Sequence, residues 1–176
     1  MRPESLATLL IEAIHARMDA EKASRSGEDR LLRGLDGVAV ADVLMDAGLR
    51  DRGVSGHGLR IRLADALDRG HVSRPPPQDG VVLGALVASV RGVEANGRWA
   101  VCVGLELKQR ARLLREPGVV WDATTWAREA AAVTDGGGIE DACGGLLERL
   151  ASELAADLRA AATPDAASSA GTEERE

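Results

Sequence analysis

The chain has 176 residues, of which 45% are apolar and 28% charged, and its net charge at pH 7 is -6. This length suits one folded domain, and the apolar content excludes a wholly disordered chain. No apolar run approaches the length of a membrane-spanning helix. The negative charge argues against a general binder of nucleic acids or anionic membranes, because phosphate groups require a positive surface.

The chemistry-bearing residues are few and scattered. The two cysteines, Cys102 and Cys143, form no metal-ligand motif and no disulfide framework. The histidines do not lie three or four residues from another ligand, and no phosphate-binding or nucleophile motif surrounds any glycine or serine. The sequence therefore indicates no metal site, no cofactor and no catalytic residue.

An amphipathic helix is predicted within residues 1–26. Its apolar side chains recur at helical spacing: Leu6, Leu9, Leu10, Ala13, Ile14 and Met18. We expect this helix to pack either on its own domain or on another chain. Charged residues such as Arg2 and Glu4 interrupt any signal-peptide pattern, so we expect a cytoplasmic protein, or an envelope protein if the true start lies elsewhere.

Residues 31–162 are predicted to form a single α+β domain. Gly37–Met45 is rich in β-branched and small apolar residues, which is typical of a strand. Ser55 is a candidate N-cap for a helix whose apolar stripe begins at Leu59, and Gly70 is suited to ending that helix. Three successive prolines at 75–77 then predict an extended spacer.

A β-hairpin follows the spacer. The runs 81–94 and 98–112 flank Asn96-Gly97, which is a strong hairpin turn signal. A third run, 119–126, is expected to extend the same sheet. A long amphipathic helix is predicted from Ile139, in which Gly144 and Gly145 allow close packing against the sheet or mark a kink. The tail 163–176 is acidic and predicted to be disordered.

These elements predict an α+β fold in which an antiparallel sheet of about four strands carries its helices on one face. The order is strand, helix, hairpin, strand, helix, with the N-terminal helix in addition.

Two groups of residues are candidates for binding. A ligand pocket between sheet and helices would be bordered by Trp121, Trp126 and His57. A basic stripe on one strand could contact nucleic acid or an acidic protein, and it comprises Lys108, Arg110, Arg112 and Arg115. Trp side chains in a chain with no other aromatic residues more often complete the core. The basic residues are alternatively explained as the exposed side of a strand, where they protect its edge.

Four short segments resemble a group of uncharacterised small bacterial α+β proteins. They are 34–40 (GLDGVAV), the Leu-rich helix from Leu59, 105–109 (LELKQ) running into 113–117 (LLREP), and 123–126 (ATTW). In topology such proteins are similar to domains of envelope lipoproteins and of transport-auxiliary or curli-secretion components. The resemblance implies action through binding other proteins, and no catalytic residue carries over from it.

The sequence thus predicts a non-enzymatic protein-interaction or assembly module. A homo-oligomer joined through an exposed strand edge or through the N-terminal helix is one form that such a module would take. The alternatives are a small-ligand-binding domain or enzyme, and local binding of nucleic acid.

Overall fold

The computed structural model describes residues 31–76, 83–112, 115, 118 and 120–163, with the backbone alone at Leu83, Arg112 and Trp121. The elements in chain order are β1 (Gly37–Met45), α1 (Ala47–Asp51), α2 (Gly56–Arg69), β2 (Leu83–Ala95), β3 (Arg98–Arg112), β4 (Val120–Asp135) and α3 (Ile139–Ala162). The predicted helix at 1–26, and the predicted tail beyond Thr163, lie outside the described residues.

The α+β fold is confirmed. The strands form one sheet in the order β1-β2-β3-β4. The hairpin forms at the predicted turn, where Asn96 and Gly97 both have positive φ (53° and 75°).

The sheet is mixed rather than wholly antiparallel, which corrects the prediction. β1 pairs with β2 in parallel, whereas β2 pairs with β3, and β3 with β4, in antiparallel fashion. The reason is the connection between β1 and β2. It contains α1 and α2, and a crossover through a helix returns the chain parallel to the strand it left.

β4 also differs from the prediction, because it continues to Asp135 rather than ending at Trp126. Its added part, 127–135, begins Ala-Arg-Glu-Ala-Ala-Ala, a composition that favours helix over strand. Pairing with β3 along its whole length holds this segment extended.

One face of the sheet carries the core. On β3 the alternate side chains from Trp99 to Leu107 are at most 6% exposed. They meet α2 and α3 through the buried leucine stripes of both helices. α1 packs on the same face, because Leu49 lies against Gly92 and Trp99 at the hairpin end. The described helices therefore lie on one face, and the other face carries no described element.

α2 and α3 pack closely through one glycine. A Cβ at Gly144 would overlap the guanidinium of Arg62, so the missing side chain lets Arg62 lie across α3. There Arg62 pairs with Glu148 (Nε to Oε1, 2.9 Å) and Asp141 (Nη1 to Oδ1, 3.2 Å). Gly144 thus serves contact between helices rather than contact with the sheet, and nothing approaches Gly145.

Candidate functional site

Two of the three residues predicted to border a ligand pocket, Trp126 and His57, are not brought together. Trp126 lies on β4 and His57 near the N-terminus of α2 beside β1, which are opposite edges of the sheet. Trp126 is 1% exposed, and its indole N–H donates to Asp157 Oδ2 at 2.8 Å. The Arg128 guanidinium stacks on its ring at 5.2 Å. The side chain of Trp121 lies outside the described residues.

The basic stripe is partly neutralised by acidic neighbours. Lys108 Nζ lies 3.5 Å from Glu106 Oε2, and Arg110 stands opposite Asp122 of β4 in the strand register. Arg115 is exposed but lies beyond the end of β3. The side chain of Arg112 is not among those described. Nucleic-acid binding through these residues stays a prediction.

The described surface carries shallow clefts, among them one at the end of α3 and two beside β1. One of about 230 Å³ lies where the loops before β1 and after α2 meet the C-terminal end of α3, and its lining includes Asp36, His71 and Arg159. Arg159 Nη1 is bound to Gly70 O at 2.9 Å. Two others, of about 440 and 250 Å³, adjoin along β1, and His57 lines the smaller. Trp126 lines none of the three.

The titratable groups with shifted pKa values belong to the packing of α3. Burial raises the pKa of the Cys143 thiol, and the nearby Glu140 charge adds to that effect. The hydrogen bond to Glu148 raises the pKa of Arg62. In the part of the chain that the structure describes, no group of His, Cys, Asp and Glu residues could hold a metal ion.

The outer edge of β1 is occupied by the chain's own residues. At its start, Val38 N donates to Ser73 O at 2.9 Å, so the segment after α2 covers the edge. Further along, Arg60 Nη2 donates to Ala41 O at 2.6 Å. These contacts use main-chain groups that another strand would need.

The second half of β1 is covered in the same way. Val43 N donates to the carboxylate of Asp42 at 2.8 Å, beside a register shift in the strand. Arg50 Nη2 donates to Met45 O at 3.0 Å. Since a bulge and occupied main-chain groups discourage strand pairing, β1 is a protected edge.

β4 forms the opposite edge, and no described strand pairs with its outer side. Ala130 and Ala132 pair with Val103 and Val101, which are at most 1% exposed. The two alanines point to the same face but are only half-buried. This edge is therefore open to solvent along its second half.

The hairpin register shows which groups of β4 point outward. The two-residue turn joins Ala95 and Arg98, and such a closing pair is hydrogen-bonded. The main-chain N–H and C=O groups of the even-numbered residues of β3 therefore bond to β2, and those of the odd-numbered residues bond to β4. The β4 residues that pair with odd-numbered residues of β3 are bonded to β3. The residues between them, Glu129, Ala131 and Val133, therefore direct their main-chain groups outward, away from β3. No described residue is bonded to them.

The open part of β4 also lacks the usual protection. Ala127 O, the preceding outward group, accepts from Arg128 Nη1 at 2.9 Å. The next five residues after Glu129, 130–134, read Ala-Ala-Ala-Val-Thr and contain no charge and no proline. Lysine, proline and bulges are the features that normally guard an exposed edge. We call residues 130–134 the open edge.

An apolar row on the uncovered sheet face ends at the open edge. Val93, Ala100 and Val133 lie side by side on β2, β3 and β4. The two valines are 69% and 60% exposed. Cys102 and Ala131 form the neighbouring positions. The open edge is thus continuous with exposed apolar surface, which is typical of a contact region.

Sequence reasoning identified an exposed strand edge as a mode of assembly but did not identify this one. The signal was present in the sequence as an uncharged run of small residues after Glu129. Without the pairing to β3, that run is indistinguishable from the start of a helix.

The sequence matches no protein-family model, and no curated protein matches it. Among solved structures, a dodecamer of PelC from Paraburkholderia phytofirmans is similar at 20% identity, with a TM-score of 0.42, over 68% of this chain and 86% of that one. A candidate lipoprotein from Caulobacter crescentus is similar at 20% identity, with a TM-score of 0.28, over 79% of this chain and 93% of that one. Similarity at this level assigns no family and no function. Within the described residues, no helix is long and apolar enough to cross a membrane.

Proposed function

We propose that this protein is a non-enzymatic assembly module that binds a protein partner by adding a strand to the outer edge of β4. The observation that carries the proposal is the difference between the two edges of one sheet. β1 has its outward groups bonded to Ser73, Arg60, Asp42 and Arg50, whereas 130–134 of β4 stand open.

Strand addition fits the chemistry of the open edge. An incoming strand would bond to the outward N–H and C=O groups of Glu129, Ala131 and Val133, which supplies affinity without any particular side chain. The small side chains at 130–132 place no bulk in its path. The row that ends at Val133 offers apolar area on one side of the added strand.

A proline at the open edge tests this function. Ala131→Pro removes one outward N–H and leaves the β3–β4 ladder intact, since proline is tolerated where the N–H faces solvent. The wild-type protein, fractionated by size from native extracts of the cells that produce it, should elute well above the mass of one chain. The Ala131→Pro variant should elute as a monomer.

Ala131→Ser is the matched control, because it keeps the N–H and should keep the complex. Thermal melts followed by circular dichroism establish that both variants are folded. A wild-type protein that elutes as a monomer would contradict the proposal. So would a folded Ala131→Pro variant that elutes with the wild-type complex.

A further inference from the structure

We infer that the partner at the open edge is a second copy of this chain, paired β4 to β4 in antiparallel fashion about a twofold axis at Ala131. This inference rests on the proposed function and names its partner. The joined sheets would form one sheet of eight strands, with the helices of both copies on the same face.

The charges of β4 are compatible with this register. With the axis at Ala131, Glu129 stands opposite Val133 of the second copy, and Asp135 stands opposite Ala127 of the second copy. Moving the axis to Ala132 would place Glu129 opposite Asp135, and like charges directly opposite are destabilising. An axis at Glu129 would place Glu129 directly opposite Glu129 of the second copy.

The remaining nearby registers are poorer. An axis at Ala130 places the two Glu129 carboxylates at diagonal positions, within reach of each other. An axis at Val133 shortens the ladder, because β4 ends at Asp135. Ala131 is also an outward residue, so it and its copy would exchange two main-chain hydrogen bonds.

The flank of α3 is suited to the same contact. Leu146 lies eleven residues, or about three turns, before Asp157, so both occupy one helix face. Asp157 bonds to Trp126 on β4, and this orients Leu146 toward the second half of that strand. Leu146 is half-buried beside the core, like Ala130 and Ala132.

The spacing across the axis also fits. α3 packs over β3 and β4, so its axis lies about one strand spacing from the seam between the copies. Two α3 helices would then lie about 10 Å apart, given strands about 4.8 Å apart. Packed helices lie 8 to 10 Å apart. Leu146 and its copy can therefore close the seam on the helix side.

Disulfide trapping of the purified full-length chain tests the register. Cys102 is first replaced by serine, since it is half-exposed on the uncovered face. Ala131→Cys should then give a covalent dimer on mild oxidation with oxidised glutathione, because the paired Cα atoms fall within disulfide range. Ala127→Cys is the matched control and should give none, since its two copies would lie about 27 Å apart.

Sedimentation velocity gives the second readout. The wild-type chain should sediment as a dimer. Ala131→Pro should raise the dimer dissociation constant about 25-fold or more, since two hydrogen bonds are lost and each contributes about fivefold.

A purified wild-type chain that stays monomeric at high concentration would overturn the inference. A dimer in which Ala127→Cys crosslinks as well as Ala131→Cys would do the same. The proposed function fails separately, when Ala131→Pro leaves the native complex unchanged. A monomeric purified chain whose native complex still depends on Ala131 would leave the function intact and exclude the second copy as partner.

Discussion

Gly144 shows how one missing side chain positions a charge network. Because no Cβ stands there, Arg62 reaches across α3 to Glu148 and Asp141. The adjacent Gly145 is exposed, and a Cβ added there would meet no neighbouring side chain within 4 Å. The pair of glycines is visible in the sequence. Only the structure shows that Gly144 is needed to accommodate Arg62 and that Gly145 is not.

Alanine substitutions separate the two glycines. Gly145→Ala should stabilise the protein by up to about 1 kcal/mol through helix propensity. Gly144→Ala should gain less or destabilise, because the new methyl displaces Arg62 from its partners. Urea denaturation measures both free energies of unfolding. In an Arg62→Ala background, Gly144→Ala should stabilise as Gly145→Ala does, and an unchanged difference between the two would refute the contact.

The two thiols should react at very different rates. Cys143 is 0% exposed, and burial raises its thiol pKa, so little reactive thiolate forms below alkaline pH. Cys102 is half-exposed on the uncovered sheet face. At pH 8, one fast equivalent of thiol should be titrated with Ellman's reagent and the second only after unfolding. A fast phase that survives Cys102→Ser would contradict this assignment.

Among the elements, β4 is bonded to α3 through the carboxylate of Asp157. The buried Trp126 indole donates to Asp157 of α3, and Arg128 reaches the same carboxylate at 3.4 Å. Asp157→Ala should lower the free energy of unfolding by about 1 to 3 kcal/mol, because it leaves a buried N–H without an acceptor. Asp157→Asn keeps an acceptor and should lose less. Equal losses in urea denaturation would show that the hydrogen bond is not the cause.

The elements also show how far sequence patterns reach. The bounds of β1, the turn at Asn96-Gly97 and the stripe of α3 were predictable, because periodicity and turn chemistry are local properties. The parallel pairing of β1 and the extension of β4 past Trp126 were not. Both depend on pairing with residues distant in sequence, which overrides the helical preference of 127–132.

The candidate site was hidden from the sequence for the same reason. An edge strand has a neighbouring strand on one side only, and the order of the strands depends on the whole sheet. The sequence directed attention to Trp126 and His57 for their chemistry, and they lie at opposite edges. The open edge consists of alanines, valine and threonine. It is a candidate site because of its position at the outer edge of β4.

In the molecule as a whole, the sheet differs between its two edges and between its two faces. The β1 edge is bonded to residues of the same chain, whereas no described residue bonds to the outward main-chain groups of 129–133 on β4. One face carries α1, α2 and α3, whereas the other exposes Val93 and Val133. The open edge and the exposed apolar row meet at one corner of the sheet, so a single partner can cover both.

Photo-crosslinking from the two edges of the sheet tests directly whether β4 is the edge that binds the partner. A benzophenone amino acid is placed at position 131 on β4 or at position 41 on β1, both exposed alanines at an edge strand, and the producing cells are irradiated. Strand addition at β4 should give one discrete protein adduct from position 131 and little or none from position 41. Adducts of equal yield from both positions, or none from position 131, would contradict it.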